Sequence, residues 1–494
     1  MTDVNEFGSY DLLEVVPDAT SLIESMRAVG YTVEAAIADL IDNSISAGAT
    51  KVQVDYDAAV EFPFVAILDN GVGMTSCELT NAMRHGSADP NGTRRDNDLG
   101  RYGLGLKTAS LSQCRRLTVV SKKLGELSTR CWDIDIVHDT GKWMVVVPDD
   151  KTVAKLPLVD QLAKQESGTV VIWQGLDRLL HDSANPQREM TVRMEPVEAH
   201  LALVFHRFVS GEPNHPPIKI LINGAELPAR DPFLSGNRFR QPLESQTIRH
   251  SRGIVDVQPY ILPPIKSMTG EELDLAGARK GLRGTQGFYV YRGRRLVVWG
   301  TWFNMSVKDE FYKLSRVRVD IPNSFDDLWS LKIDKSGVIP PTDIRDRLRD
   351  LVPGFALKSR TTVTYEGRKR NQSNVVPVWD RIETERGNFT YLPNAEHPLI
   401  QLLFEKSDAA TLPLLKSALK AIGVSLPLES IYADMSSDKR SLHRDEALQE
   451  LVETARLYRE LMSLDIDEIL KLDPISQYPE LHISIKENIE NDRA

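Results

Sequence analysis

The alternation of apolar and polar positions is clearest between Val33 and Ala49, VEAAIADLIDNSISAGA. Val33, Ala36, Ile37, Leu40 and Ile41 recur at helical spacing and predict one buried stripe, with Asp39, Asp42, Asn43 and Ser46 on the other side. Alternation over Lys51 to Tyr56 predicts a strand, and the apolar run Phe62 to Leu68 predicts a second, buried one that ends in Asp69-Asn70-Gly71-Val72-Gly73-Met74. The polar, glycine-punctuated stretch Gly86 to Asp98 reads as a loop. It opens onto Leu99-Gly100-Arg101-Tyr102-Gly103-Leu104-Gly105-Leu106-Lys107-Thr108, which leads into a helix. Strand patterns follow near Arg116 to Ser121, Ser128 to Asp135, Lys142 to Val147 and Thr169 to Trp173, so this N-terminal part reads as helices on a mixed, mainly antiparallel sheet.

A helical pattern around Met190 to Val209 begins a second unit, with strands near Ile218 to Ile222, Ile254 to Leu262, Gly287 to Tyr291 and Arg295 to Val298, and Pro340-Pro341 closes it. Thr342 to Asn374 is charged, includes Arg368-Lys369-Arg370, and suits a connector or an exposed strand pair. Beyond Pro377 the pattern is mostly helical. Leu448, Leu451, Ala455, Tyr458 and Met462 recur every three or four residues over about two heptads, which suits a bundle helix better than a coiled coil. The expected organisation is an α+β chain of four pieces: residues 1–185, 186–341, a connector at 342–376, and a mainly helical region at 377–494. No internal repeat or low-complexity tract interrupts it.

Composition narrows the partners. The 494 residues are 41% hydrophobic, enough for several cored domains, and the formal net charge of -10 argues against a wholly basic nucleic-acid binder. Any DNA contact is then local or made through a partner. Cys77, Cys114 and Cys131 form no CxxC pair or zinc-spaced cluster, and read as buried thiols of a reducing compartment. The N-terminus lacks the pattern of a secretory signal, and no apolar run reaches membrane-spanning length, so the expectation is a soluble cytoplasmic protein without membrane contact.

Candidate chemistry lies in the first third. Asp39 and Asn43 stand one helical turn apart and can aim a proton acceptor and a metal-binding oxygen at one point. Asp69 at a strand end, followed by Gly71 and Gly73, can accept the exocyclic amine of adenine while the glycines admit a flat ring. Gly100, Gly103 and Gly105, leading into a helix, can offer backbone amides to phosphate, with Lys107 adding charge. This is not a Walker A loop, because Leu106 separates Gly105 from Lys107. Thr169, in Ser167-Gly168-Thr169 ahead of a strand, can add a hydroxyl. Each piece alone also suits an ordinary surface helix, strand-closing turn or glycine-rich bend.

Together, and in this order, they resemble the GHKL ATPases, which include DNA gyrase B, MutL, the heat-shock-ninety chaperones, the histidine kinases and the MORC proteins. IADLIDNSISAGAT, DNGVGM, GRYGLGLKTAS and GTVVIW resemble the family's four motifs across roughly residues 30 to 175, and LIDNS with a lysine closing the glycine loop is most similar to MORC and its bacterial relatives. The resemblance implies a Bergerat-type ATPase domain with ATP and Mg²⁺ as cofactors. It implies Asn43 on Mg²⁺, Asp69 on the adenine amine with Thr169 behind it, and Gly71, Gly73 and Met74 beside the ring. Gly100, Gly103, Gly105, Lys107 and Thr108 would hold the phosphates, and Gly86 to Asp98 would be a lid. Where relatives carry a water-activating glutamate, this chain has Asp39, one methylene shorter, which implies that the helix sits closer, that a second water relays the proton, or that hydrolysis is slow and ATP acts mainly as a conformational ligand. Glu34 lies five residues earlier, roughly 140° around the helix, and is no substitute.

Residues 186–341 resemble the S5-like transducer domain of such proteins, with GFYVYRGRRLVVWG as its edge-strand pair and Lys335, or in reserve Lys332, as the lysine that reaches the γ-phosphate. Either lysine also suits a solvated surface. Basic and aromatic residues interleave from Arg279 to Trp302, as a nucleic-acid groove would have them, although strand alternation explains the aromatics as sheet core. The function implied is an ATP-gated dimeric clamp or switch: a homodimer closing on ATP binding, acting on DNA, with partner proteins of a DNA-processing or bacterial restriction and antiphage defence complex. A heat-shock-ninety-like chaperone, or an ATP-sensing scaffold with little turnover, is the alternative.

Overall fold

The computed structural model describes residues 13, 15, 17–28, 30–84, 105–180, 183–277, 280–326, 328–329, 340–364, 376–383, 389–428, 430–431, 444–462, 464–478 and 481–491. The chain forms two compact units, Met1–Arg360 and Thr361–Ala494. The fold is α+β, with mixed, mostly antiparallel sheets.

The first unit holds two sheets. The first contains β1 (Lys51–Asp57), β2 (Phe64–Asp69), β3 (Arg116–Lys123), β4 (Glu126–Asp133), β5 (Gly168–Gln174), β6 (Lys219–Ile222) and β7 (Ala225–Glu226) in the order β4-β3-β5-β2-β1-β6-β7. Only β1 and β6 in it run parallel. The sheet thus takes its last two strands from beyond residue 185, because β6 completes the edge that β1 would otherwise leave unpaired. The second sheet contains β8 (Gln241–Pro242), β9 (Gln246–His250), β10 (Gly253–Ile261), β11 (Gly287–Arg292), β12 (Arg295–Thr301) and β13 (Ser315–Ile321), ordered β12-β11-β13-β10-β8 with β9 also on β10. Lys142 to Val147, expected as a strand, contributes only an isolated bridge from Val146 to Cys131.

Four helices of the first sheet's face matter for the site: α1 (Ala19–Arg27), α2 (Val33–Ser46), α3 (Ser76–Met83) and α4 (Gly105–Leu111). The apolar stripe of α2 is buried as its spacing requires, and Ala36, Ile37, Leu40 and Ile41 join a core that includes Val52, Val54, Ile67 and Leu117 of the first sheet. Burial of one such branched side chain contributes about 1.5–3 kcal/mol. The same core runs on to Tyr289, Tyr291 and Leu296 of the second sheet. α2 is therefore an internal helix: Asp39, Asp42 and Ser44 are buried along with the stripe.

That burial changes two expectations. Asp42, placed by periodicity on an open face, is 1% exposed, and its Oδ2 lies 2.7 Å from Nε of Arg295 on β12. Four of the five aromatic residues of the interleaved stretch are equally enclosed, Trp299 being half-buried. Phe288, Tyr289, Tyr291 and Trp302 are buried, with Phe288 and Trp302 in a second core and the two tyrosines in the first, so both faces of β11 are packed and none of these rings is free to stack on a base.

The charged stretch after Pro341 is a helix, Thr342–Thr364, rather than an exposed strand pair, and Ile344, Leu348 and Val352 at four-residue intervals enter the second core. In the second unit β14 (Trp379–Glu383) pairs with β15 (Phe389–Pro393), and Leu451, Ala455 and Tyr458 pack with Ile469, Ile475, Ile485 and Ile489 as a helical bundle would. Of the cysteines, Cys114 and Cys131 are buried as expected, but Cys77 on α3 is exposed. Among the described residues, no helix is long and apolar enough to cross a membrane.

Candidate nucleotide site

The site is assembled where the end of α2 meets the end of β2. Thr32 caps α2 at its start, accepting from the Ala35 N–H, and the helix stops at Ala47, where Gly48 takes a left-handed φ of +75°. Asn70 locks this turn: its Oδ1 accepts from the Thr50 and Lys51 N–H groups, both at 2.9 Å, and its Nδ2 donates to Thr50 Oγ1. The Val72 N–H donates to Ala47 O. The two motifs thus form one hydrogen-bonded corner.

Asp69 sits inside that corner, 6% exposed. Its Oδ1 accepts from the Gly71 N–H and its Oδ2 from Ser44 Oγ, both at 2.9 Å. Burial pushes the carboxyl above the usual carboxylate range, against the Gly71 and Ser44 hydrogen bonds that hold it down. Across the β2–β5 ladder Asp69 is the register partner of Thr169, whose Oγ1 lies 2.8 Å from Ser121 Oγ. Ser121 Oγ in turn accepts from the Met74 N–H.

Two glycines are required by contact here. A Cβ on Gly73, at φ +65°, would sit 2.0 Å from Lys122 O, and one on Gly71 would sit 2.9 Å from Ala47 O.

Asp39 lies on α2 beside the start of α4. Tyr31 Oη donates to its Oδ2 at 3.2 Å, and a Cβ on Gly105 would lie 3.6 Å from the same oxygen. Asn43, one turn along α2, is exposed, so its carboxamide is open to a metal-bound or solvent partner. Thr108 is buried in α4.

Lys107 departs from expectation. It is 1% exposed, and its ammonium donates to Ala82 O and Arg84 O at 2.9 and 2.6 Å, capping the C-terminal end of α3. The reason is positional, since the side chain leaves α4 toward α3's unpaired carbonyls. Burial pushes its pKa down to about 8. Between pH 8 and the ordinary lysine range the folded chain therefore binds fewer protons than the unfolded one, so Lys107 makes stability rise with pH across that window. In urea unfolding at pH 8 and pH 10, Lys107→Met is expected to lose this increment relative to the natural chain.

Gly100, Gly103, Lys332, Lys335 and the Gly86 to Asp98 loop lie outside the described residues. Among the rest, α2 brings Asp39, Asn43 and, through Ser44, Asp69 into one neighbourhood, with Gly105 against Asp39. Sequence reasoning missed Ser44, Ser121 and Tyr31. Ser44 had a signal, because it follows Asn43 directly and a serine inside a helix otherwise serves little purpose there.

The Asp42–Arg295 pair ties this helix to the second sheet, with the guanidinium 5.5 Å over the Phe205 ring. Removing one partner of a buried pair strands the other charge and costs about 3–5 kcal/mol. Asp42→Ala is expected to lower unfolding stability by that amount, read as a shifted urea midpoint, and Arg295→Met in the same background to recover part of it.

The residues fit an adenine nucleotide and its magnesium. Each Asp69 oxygen accepts one of these two protein hydrogen bonds and keeps a lone pair for an exocyclic amine, and Asn43 is an exposed carboxamide on the same helix as the buried Asp39. Residues 31–169 match the family model described as histidine kinase-, DNA gyrase B-, and HSP90-like ATPase. Over 144 residues the chain is 27% identical to ATPase MORC2B of Mus musculus, covering 28% of this chain and 14% of that protein. It is 33% identical over 90 residues to ATPase morc-1 of Caenorhabditis elegans (18% and 10%) and 37% identical over 100 residues to DNA mismatch repair protein MutL of Colwellia psychrerythraea (19% and 15%). The chain thus spans no more than 15% of the length of these three relatives. Residues 31–169 of this chain are accordingly a GHKL ATPase domain, near those of the MORC and MutL proteins.

Proposed function

We propose that this chain binds Mg²⁺·ATP at the corner between α2 and β2, hydrolyses it slowly, and uses the bound state to close two copies on each other around DNA. The observation that carries the reading is the single helix α2, which sets Asp39 beside Gly105 and holds Asp69 through Ser44. Asp69 fixes the base by accepting its amine, and Gly71 and Gly73 let the ring lie against backbone. Asn43 would hold the magnesium, which when bound offsets phosphate charge. Asp39 takes the proton of the attacking water as the new P–O bond forms and ADP departs with the bridging oxygen. A short acid reaches less far than a glutamate, which fits slow turnover.

The second sheet suits the transducer role, because Arg295 of β12 meets Asp42 one turn-third from Asn43 on the same helix, so a shift in either sheet is felt at the other. Lys335 is the proposed lysine from that piece toward the terminal phosphate. DNA as the polymer handled rests on the MutL relatives, named for DNA mismatch repair. Since the rings of β11 are buried, the contact would be made by basic side chains to phosphates and be salt-dependent.

The test is light-scattering mass and phosphate release with Mg²⁺ and either ATP or a non-hydrolysable analogue, with and without duplex DNA. The mass is expected to double with the analogue, and DNA to raise phosphate release. A chain that stays monomeric with bound nucleotide refutes the clamp, and one that binds no nucleotide refutes the site.

A further inference from the structure

Tyr31 belongs to none of the four motifs, yet its hydroxyl reaches the candidate base. It precedes the α2 cap, is 7% exposed, and its hydroxyl donates to Asp39 Oδ2 at 3.2 Å. Its own backbone is fixed from the other side, where buried Gln113, two residues beyond α4, donates from Nε2 to Tyr31 O at 2.9 Å. Gln113 Nε2 also donates to Ser112 Oγ at 2.9 Å, so the amide is itself oriented. Gly105 at the start of α4 packs against the same Asp39 oxygen. A run of contacts therefore leads from α4 through Gln113 and Tyr31 to the carboxylate.

We propose that Tyr31 is a positioning residue for hydrolysis: its hydroxyl, donating to Oδ2, helps to hold the Asp39 side chain in the rotamer from which the carboxylate meets the water that attacks the terminal phosphate. An aspartate has one rotatable bond fewer than a glutamate, so its reach is set by χ1 and χ2 alone, and a donor at Oδ2 favours one setting of both. The inference rests on Asp39 being the proton acceptor. In this scheme Tyr31 acts on hydrolysis through Asp39.

The test measures Mg²⁺·ATP affinity by calorimetry and single-turnover phosphate release for the natural chain, Tyr31→Phe, Asp39→Ala and the double variant. Phenylalanine keeps the ring and the Gln113 contact to the backbone and removes only the donor. The expected result is a Kd within about twofold, a rate lowered roughly 10-fold by loss of a charge-assisted hydrogen bond, and no further loss when Tyr31→Phe is added to Asp39→Ala. A Tyr31→Phe rate within twofold of the natural chain overturns the inference, as does an equal further drop in the double variant, which would mark a purely structural role. If Asp39→Ala itself turns over normally, it is the base assignment that fails, and the two failures are read separately.

Discussion

Asp69→Asn is expected to weaken Mg²⁺·ATP binding by about 10- to 100-fold in calorimetry, while melting within a few degrees of the natural chain. The substitution is isosteric but changes what the corner can accept. As a carboxylate, Asp69 accepts from the Gly71 N–H and from Ser44 Oγ and retains capacity for a third donor. A carboxamide has one oxygen for the same three donors, and its NH₂ group must face one of them. Loss of a charge-assisted hydrogen bond to a buried partner accounts for the stated range.

The same carboxylate sets a pH dependence. Burial raises its pKa, so it protonates at a higher pH than an ordinary aspartate, and nucleotide affinity is expected to be full above that raised pKa and to fall as the pH drops through it. Folding stability has the opposite sign for this group. The folded chain binds the proton more tightly than the unfolded chain, so the contribution of Asp69 to stability is present at low pH and is lost as pH rises through the folded pKa. Asp69→Asn removes both dependences.

Asp39→Ala is expected to leave the affinity for Mg²⁺·ATP within about threefold and to lower kcat by about 10²- to 10⁴-fold, the range for loss of a general base. The expectation follows from placement, since Asp39 lies against Gly105 and not in the Asp69 corner. Asp39→Glu is expected to retain turnover. The extra methylene enters the gap beside Gly105, where the missing Cβ leaves space next to the carboxylate oxygen. Steady-state phosphate release across the three chains checks the pair of expectations.

Much of the fold and part of this site were legible in the sequence because the signals are local. The stripe from Ala36 to Ile41 and the strand ending at Asp69 are visible in periodicity, whereas the glycines at 71 and 73, expected to admit a ring, are where the chain comes close to Ala47 O and Lys122 O. What escaped depends on contacts between distant segments. Periodicity puts Asp42 in solvent because a carboxylate on a helix is ordinarily exposed, and its burial is offset by a pairing with Arg295, more than 250 residues later. Lys107 sits in a phosphate-loop pattern, but the carbonyls at the end of α3 claim its ammonium. Tyr31 lies outside the motifs and Ser44 inside the first of them, yet each matters through a hydrogen bond to an acid on another segment or turn that periodicity does not reveal. The helix after Pro341 was hidden by its charge, with Ile344, Leu348 and Val352 spaced among arginines and aspartates.

Convergence of separate segments on one nucleotide is tested most directly by amide hydrogen exchange with and without Mg²⁺ and a non-hydrolysable ATP analogue. Protection is expected together at the end of α2 around Asn43, at Gly71 to Met74, at Gly105 to Thr108 and at Thr169, and absent in all four from Asp69→Asn at the same analogue concentration. Protection confined to one of these stretches, or appearing elsewhere while all four exchange unchanged, would contradict it.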